Sequence, residues 1–244
     1  MRPKSDAPSK SRPPNGSLTL CGLGISRPQD ATLAAIEALK RADVVFYLHG
    51  DGPALLPFFK AFCPSVTLYA REHARLDPHE KLKRLCADVC ARLARGKRVV
   101  YATYGHPLIF SDAFHVMNAC RERGFACSVI AGISAVDAIL AVLSSEAKAL
   151  ARGQVSCHAE DVVVRPQILP TGLAAVLLGV DSLAARGLYD RFCARLESHY
   201  GATHPIFGVK CGDTAGDGTV WRGIVRDARR WKVPPMMSFV LPAQ

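Results

Sequence analysis

Two short segments of this chain carry residue types suited to holding a ligand against the main chain: YGHPLIF, from Tyr104 to Phe110, and AGISA, from Ala131 to Ala135. Each follows an apolar run that reads as a buried strand, VVYAT at 99–103 and CSVI at 127–130, and each leads into a helical pattern. Gly105 and Pro107 cannot continue a strand, because proline lacks an N–H and glycine reaches backbone angles closed to other residues. The turn therefore presents backbone groups at a strand end, where ligands of open α/β sheets collect. In the second segment Gly132 lets a ligand approach the main chain, and Ser134 offers a hydroxyl or a helix cap. His106 is open to two readings, a general base or a ring that fixes the turn between its glycine and proline neighbours. Ordinary strand-to-helix turns would explain either segment alone better than they explain the pair.

The elements that must position these segments alternate between strand and helix. SLTLCGLG (17–24) reads as a strand with a glycine exit, Asp30 as the cap of a helix over ATLAAIEALKRA, and VVFYL (44–48) as the returning strand. Asp77-Pro78 opens a long helix whose buried stripe is Leu82, Leu85, Cys86, Val89 and Leu93, ending at Gly96. A strand at 98–103, a helix from Ser111 to Arg123 closed by Gly124, a strand at 126–130 and a helix over 134–143 follow. Residues 144–170 read as irregular, then come a strand at 173–180, a helix at 186–200 and strands at 205–209, 219–225 and 236–241. This order predicts a flexible basic tail over 1–16 and two α/β lobes, 17–130 and 131–244, the second with a mixed sheet.

A chain of 244 residues, 49% hydrophobic and 21% charged, is expected to be globular rather than disordered. Its most apolar stretch, 130–143, contains Asp137 and is too short to span a bilayer, so no membrane partner is expected. The first sixteen residues hold four prolines and four basic residues and lack the apolar core of a signal peptide. Nine dispersed cysteines without a CxxC argue for reduced thiols in a cytoplasm, against a disulfide framework and against a zinc site. No metal-ligand spacing is found among the eight histidines. The net charge of +10 suits an anionic partner, but no nucleic-acid motif accompanies it, and an acidic peptide fits equally. Gly22-Leu23-Gly24 lacks the third glycine of a dinucleotide fingerprint, which would fall at Arg27, so it reads as a turn beside a ligand cleft.

With the N-terminal strand and its GxG, the two opening segments resemble the tetrapyrrole (corrin/porphyrin) methylase family, whose motifs read GDPxxF or GHPxxF and PGISA. The resemblance covers roughly 17–241. It implies a two-lobed α/β class III methyltransferase fold with S-adenosyl-L-methionine in the inter-lobe cleft. One branch is closer, the borosin-type peptide backbone α-N-methyltransferases, through GSLTLCGLGI (16–25), DVVFYL (43–48), YGHPLIF and the terminal SFVLPAQ. On that likeness Tyr104, Gly105, His106, Pro107, Ile109, Gly132, Ser134, Ala135, Leu178 and Val209 would hold the cofactor. Tyr69 and Arg75, six residues apart in LYAREHARLDPHEKL, match the branch's catalytic tyrosine and arginine, and His79 stands where a further tyrosine is expected. Leu108 replaces a glycine of the first motif, Ala131 replaces the proline of the second, and Leu178 and Val209 are less polar than their counterparts.

The resemblance implies methylation of backbone amides of a precursor peptide, here on a separate chain because this one stops at Gln244, by a cytoplasmic homodimer. An amide nitrogen is a poor nucleophile because its lone pair is delocalised, so a tyrosine beside an arginine would serve as base and oxyanion partner. The alternatives are methylation of a tetrapyrrole ring carbon, or a non-catalytic binding module that keeps the fold.

Overall fold

The apolar runs fold as strands and the amphipathic runs as helices in a computed structural model that describes residues 16–49, 51–69, 77–146, 150, 152–164, 169–213 and 216–244. Arg75, and the expected basic tail except for Gly16, lie outside the described residues. The chain divides into two compact units. The first runs up to Cys21 and includes Leu33–Thr103 and Ser111–Ile130; the second takes Gly22–Thr32, Tyr104–Phe110 and Ala131–Gln244.

In the first unit, β1 (Ser17–Gly22), β2 (Val44–Tyr47), β3 (Val66–Leu68), β4 (Arg98–Thr103) and β5 (Ala126–Ile130) form one sheet in the order β3-β2-β4-β1-β5. β2 pairs parallel with β3 and β4, and β1 pairs parallel with β5. Every residue of β2 is buried, as a parallel strand covered on both faces requires. The helices are α1 (Leu33–Arg41), α2 (Gly52–Lys60), α3 (Pro78–Ala94) and α4 (Ala113–Arg121). α3 starts where the sequence predicts, because the Asp77 carboxylate accepts from the N–H groups of His79 and Glu80 and Pro78 occupies the first turn. Such a cap contributes about 1 kcal/mol. Its stripe of Leu85, Val89, Cys90 and Leu93 packs with Leu18, Phe46, Tyr101 and Val116 in one core.

The second unit is built on a mixed sheet, β6 (Gln154–His158), β7 (Ala174–Leu178), β8 (Pro205–Cys211), β9 (Gly218–Ile224) and β10 (Ser238–Leu241), in the order β6-β7-β10-β8-β9. Only the β6/β7 pair among these is parallel. α5 (Ala135–Leu143), α6 (Ala159–Val164), α7 (Val180–Ala185), α8 (Tyr189–Tyr200) and α9 (Val225–Ala228) complete it. Phe192, Leu196, Ile206 and Phe239 fill one core, and Ile139, Leu143, Val176 and Val240 another.

Two sequence expectations are corrected, and three short elements lie outside the expected set. Asp30 does not cap α1, which begins at Leu33; its carboxylate accepts instead from the N–H groups of Ile25 and Ser26, at 3.1 and 2.8 Å, and closes the 25–30 turn. The irregular stretch 144–170 contains β6 and α6. The helix expected over 186–200 is α8, while the short α7, ahead of it and separated from it at Gly187 with a φ of 69°, was not expected. α2 and β3 have no clear sequence signal: Pro57 lies inside α2 and masks a helix that tertiary packing of Leu55 and Phe59 sustains.

No helix of the described residues is long and apolar enough to cross a membrane. No group of three or more His, Cys, Asp or Glu among them is placed to hold a metal ion.

Candidate functional site

Three glycines bring main chain against main chain in the second unit. A Cβ on Gly132 would sit 2.4 Å from the Gly105 carbonyl oxygen and 2.7 Å from the Gly22 carbonyl carbon, and one on Gly22 would sit 2.6 Å from the Gly132 nitrogen. Only hydrogen fits. Gly24 and Gly105 also exchange backbone hydrogen bonds, Gly105 N–H donating to the Gly24 oxygen at 2.9 Å, and Gly105 has a φ of 63° that favours glycine.

The turn that follows is fixed by His106. Its Nδ1 accepts from the N–H of Leu108 at 3.1 Å, and its carbonyl accepts from the N–H of Ile109 at 3.2 Å. The turn-fixing role therefore exists; with Nδ1 as acceptor, the neutral ring carries its proton on Nε2. Pro107 is buried beneath the turn. Tyr104 lies under the Arg27 guanidinium, whose Cζ is 4.0 Å from the ring centre. Phe110 leaves the turn with a φ of 48°, unusual for a non-glycine, and its ring centre is 5.9 Å from that of His158 at the end of β6.

Ser134 caps α5 in a reciprocal box. Its hydroxyl accepts from the N–H of Asp137 at 3.3 Å, while the Asp137 carboxylate accepts from the Ser134 N–H at 2.9 Å and hydroxyl at 2.7 Å. Ala135 is the first residue of that helix.

Between the turn and the start of α5 lies a cavity of about 590 Å³ lined by His106, Leu108, Ile109, Phe110, Ser134, Val136, Asp137 and Ser156. Its size is that of a small-molecule site. Leu108, Ile109 and Phe110 are 40–50% exposed, so three large apolar side chains are held at the surface instead of in the core. The structure thus brings His106, Ile109 and Ser134 together, with Gly105 and Gly132 shaping the backbone beside them. Leu178 and Val209, expected among the cofactor contacts, are buried in the core with Ile139 and Val240 and do not line this cavity.

Burial pushes Cys21 up to about 12, and Cys157 and Cys211 up to about 11.

In the first unit Tyr69 follows β3 and is fully buried. Its hydroxyl donates to Asp88 Oδ2, 2.9 Å away on α3, and its ring centre is 6.3 Å from that of Phe46. His79 is exposed in the first turn of α3, and its backbone N–H is bound to Asp77. Asp88, Phe110, Val136, Asp137 and Ser156 are absent from the sequence-predicted set. Asp137 could have been found, since it stands three residues after a capping serine. Asp88 gave no signal, because nothing in a solvated helix position says which distant hydroxyl it will accept.

The family model described as tetrapyrrole (corrin/porphyrin) methylases matches residues 17–223. Among curated proteins, the chain is 26% identical over 204 residues to a methyltransferase/ribosomally synthesized type I borosin cyclic peptide precursor of Gymnopilus junonius, covering 78% of this chain and 47% of that protein. It is 27% identical over 205 residues to the omphalotin A precursor of Omphalotus olearius, also named a methyltransferase (78% and 48%). A type III borosin precursor of Anomoporia bombycina matches at 27% over 205 residues (78% and 23%). The chain spans less than half the length of each of these relatives. Among solved structures, a uroporphyrin-III C-methyltransferase from Thermus thermophilus superposes with a TM-score of 0.67 at 21% identity, covering 93% of this chain and 92% of that one. A Thermus thermophilus structure of uroporphyrin-III C-methyltransferase complexed with S-adenosylhomocysteine gives 0.62 at 19%, covering 93% and 97%. These likenesses show the fold.

Proposed function

Because this chain belongs to the tetrapyrrole (corrin/porphyrin) methylase family, we propose that it is an S-adenosyl-L-methionine-dependent methyltransferase that methylates backbone amide nitrogens of a precursor peptide carried on a separate chain. The observation that carries the reading is the cavity of about 590 Å³ formed where the GHPLIF turn meets the capped start of α5. When bound, the cofactor supplies an electrophilic methyl group on a sulfonium.

The residues present fit that group. Leu108, Ile109, Phe110 and Val136 form an apolar wall suited to a nucleoside, and the carboxylate of Asp137 favours a cationic ligand. Ser134 and the main chain of 104–109 and 132–135 offer polar contacts, with Tyr104, Gly105, Pro107, Gly132 and Ala135 setting the backbone course. Leu178 and Val209 pack in a core cluster of the same unit, behind the residues that line the cavity.

Methyl transfer needs in-line placement more than covalent help. The harder task falls on the amide, whose proton must leave. Tyr69 is the base in this reading: its hydroxyl already donates to Asp88, so it can pass its proton to the carboxylate as it takes up the amide proton. Arg75 is assigned to the developing imidate oxygen, and His79 takes the place of the branch's further tyrosine. The borosin relatives support a peptide acceptor. Resemblance to that branch supports a homodimer, and the dispersed reduced thiols support the cytoplasm.

The test is to incubate the protein with the cofactor and a candidate precursor peptide supplied as a separate molecule, then fragment the peptide by mass spectrometry. Increments of one methylene on backbone fragments are expected. Transfer to a tetrapyrrole ring but not to peptide would overturn the substrate assignment, and absence of cofactor binding by calorimetry would overturn the enzyme assignment.

A further inference from the structure

Two thiols outside the candidate site face each other where α3 packs on α4. Cys90 Sγ lies 3.6 Å from Cys120 Sγ, and the Arg123 guanidinium donates from Nη1 to Cys90 Sγ at 2.8 Å. Cys90 is 6% exposed and Cys120 fully buried, while Arg123 is exposed. The Cys90 sulfur is therefore one guanidinium away from solvent. No disulfide joins the pair.

From this juxtaposition we infer that Cys90 and Cys120 are a site of reversible disulfide formation, with Cys90 as the attacking thiol and Cys120 as the resolving one. A bond of about 2.05 Å requires the sulfurs to close the remaining gap, which side-chain rotation on two packed helices can supply. The division of roles follows from the surroundings. The exposed Arg123 guanidinium holds the Cys90 sulfur on the solvent side and can stabilise the negative charge that passes through it during attack, whereas Cys120 is fully buried, its thiol raised by burial, and is reached only through Cys90.

With hydrogen peroxide as oxidant, the Cys90 thiolate attacks one peroxide oxygen. The S–O bond forms, the O–O bond breaks, and the departing hydroxide takes up the proton that Cys90 released, becoming water. The Cys120 sulfur then attacks the Cys90 sulfur, the S–S bond forms, the S–O bond breaks, and the leaving hydroxide carries off the Cys120 proton as a second water. Two thiols are oxidised to one disulfide and one peroxide is reduced to two waters. A dithiol reductant reverses the step by exchange.

The experiment treats the whole protein with hydrogen peroxide, alkylates remaining thiols and maps peptides without reduction. The expected product is a crosslinked pair containing Cys90 and Cys120, two hydrogens lighter than its parts and lost on reduction. The exposed substitution Arg123→Gln should slow its appearance about fivefold, and Arg123→Lys should restore part of the rate. Three results would overturn the inference: alkylation of both cysteines after peroxide, a crosslink through Cys86 or Cys127 instead, or sulfinic acid at Cys90 with Cys120 still free. An unchanged rate in Arg123→Gln would overturn the role given to the guanidinium.

Discussion

The hydroxyl of Tyr69, enclosed in the core of the first unit, donates to the carboxylate of Asp88 at 2.9 Å across to α3. A buried phenol held by an acidic acceptor has a defined direction and a place to send its proton.

Removing either partner should therefore slow chemistry while sparing cofactor binding. Tyr69→Phe is expected to abolish methyl transfer, and Asp88→Asn to lower kcat by about 10²-fold, since positioned proton transfer is commonly worth that much. Turnover assays beside calorimetric titration with the cofactor separate the two effects. Normal kcat in Tyr69→Phe would end the assignment.

Gly132→Ala should destabilise the second unit by about 1–3 kcal/mol and weaken cofactor binding. The added methyl would meet the Gly105 carbonyl at 2.4 Å, and backbone atoms cannot rotate away as a side chain would. Gly172→Ala is the control, because a Cβ there meets nothing within 4 Å. It should stay within about 0.5 kcal/mol of wild type in urea denaturation.

Ser134→Ala opens the capping box of α5. A loss of about 1 kcal/mol is expected, read as a lower urea midpoint at unchanged slope. Cofactor affinity should fall as well, since the same hydroxyl lines the cavity. Ser134→Asp, which keeps an acceptor for the helix N–H groups, should recover stability more fully than affinity.

Acid should uncover a different pair. Asp43 accepts from the backbone N–H, Nε and Nη2 of Arg98, which holds its carboxyl at about 2. The native pKa is depressed, so the stabilisation is complete above the unfolded carboxylate value of about 3.9 and is lost as pH falls toward 2. Thermal midpoints of wild type should drop across that window, and those of Asp43→Asn should start lower at neutral pH and change less within it.

Much of the site was legible because its signals are local. Gly105, Pro107, Gly132 and Ser134 each break a regular pattern in a way that backbone chemistry interprets, and the two strand-to-helix connections that carry them meet at the cavity. What escaped depended on distant residues. Asp30 has the residue type of a helix cap, yet the tight turn at Gly24 offers it two closer N–H groups. β6 lacks strong alternation and becomes a strand through its parallel pairing with β7. Leu178 and Val209 occupy strands whose neighbours enclose them, a property of sheet order that no local pattern contains.

The contact of Gly22, Gly105 and Gly132 bears on how the cavity could be re-engineered. Three missing Cβ atoms let the main chain close there, so the frame beside the cavity is set by backbone and not by the side chains mounted on it. Leu108, Phe110 and Val136 can then be redesigned for another ligand without rebuilding the frame that carries them.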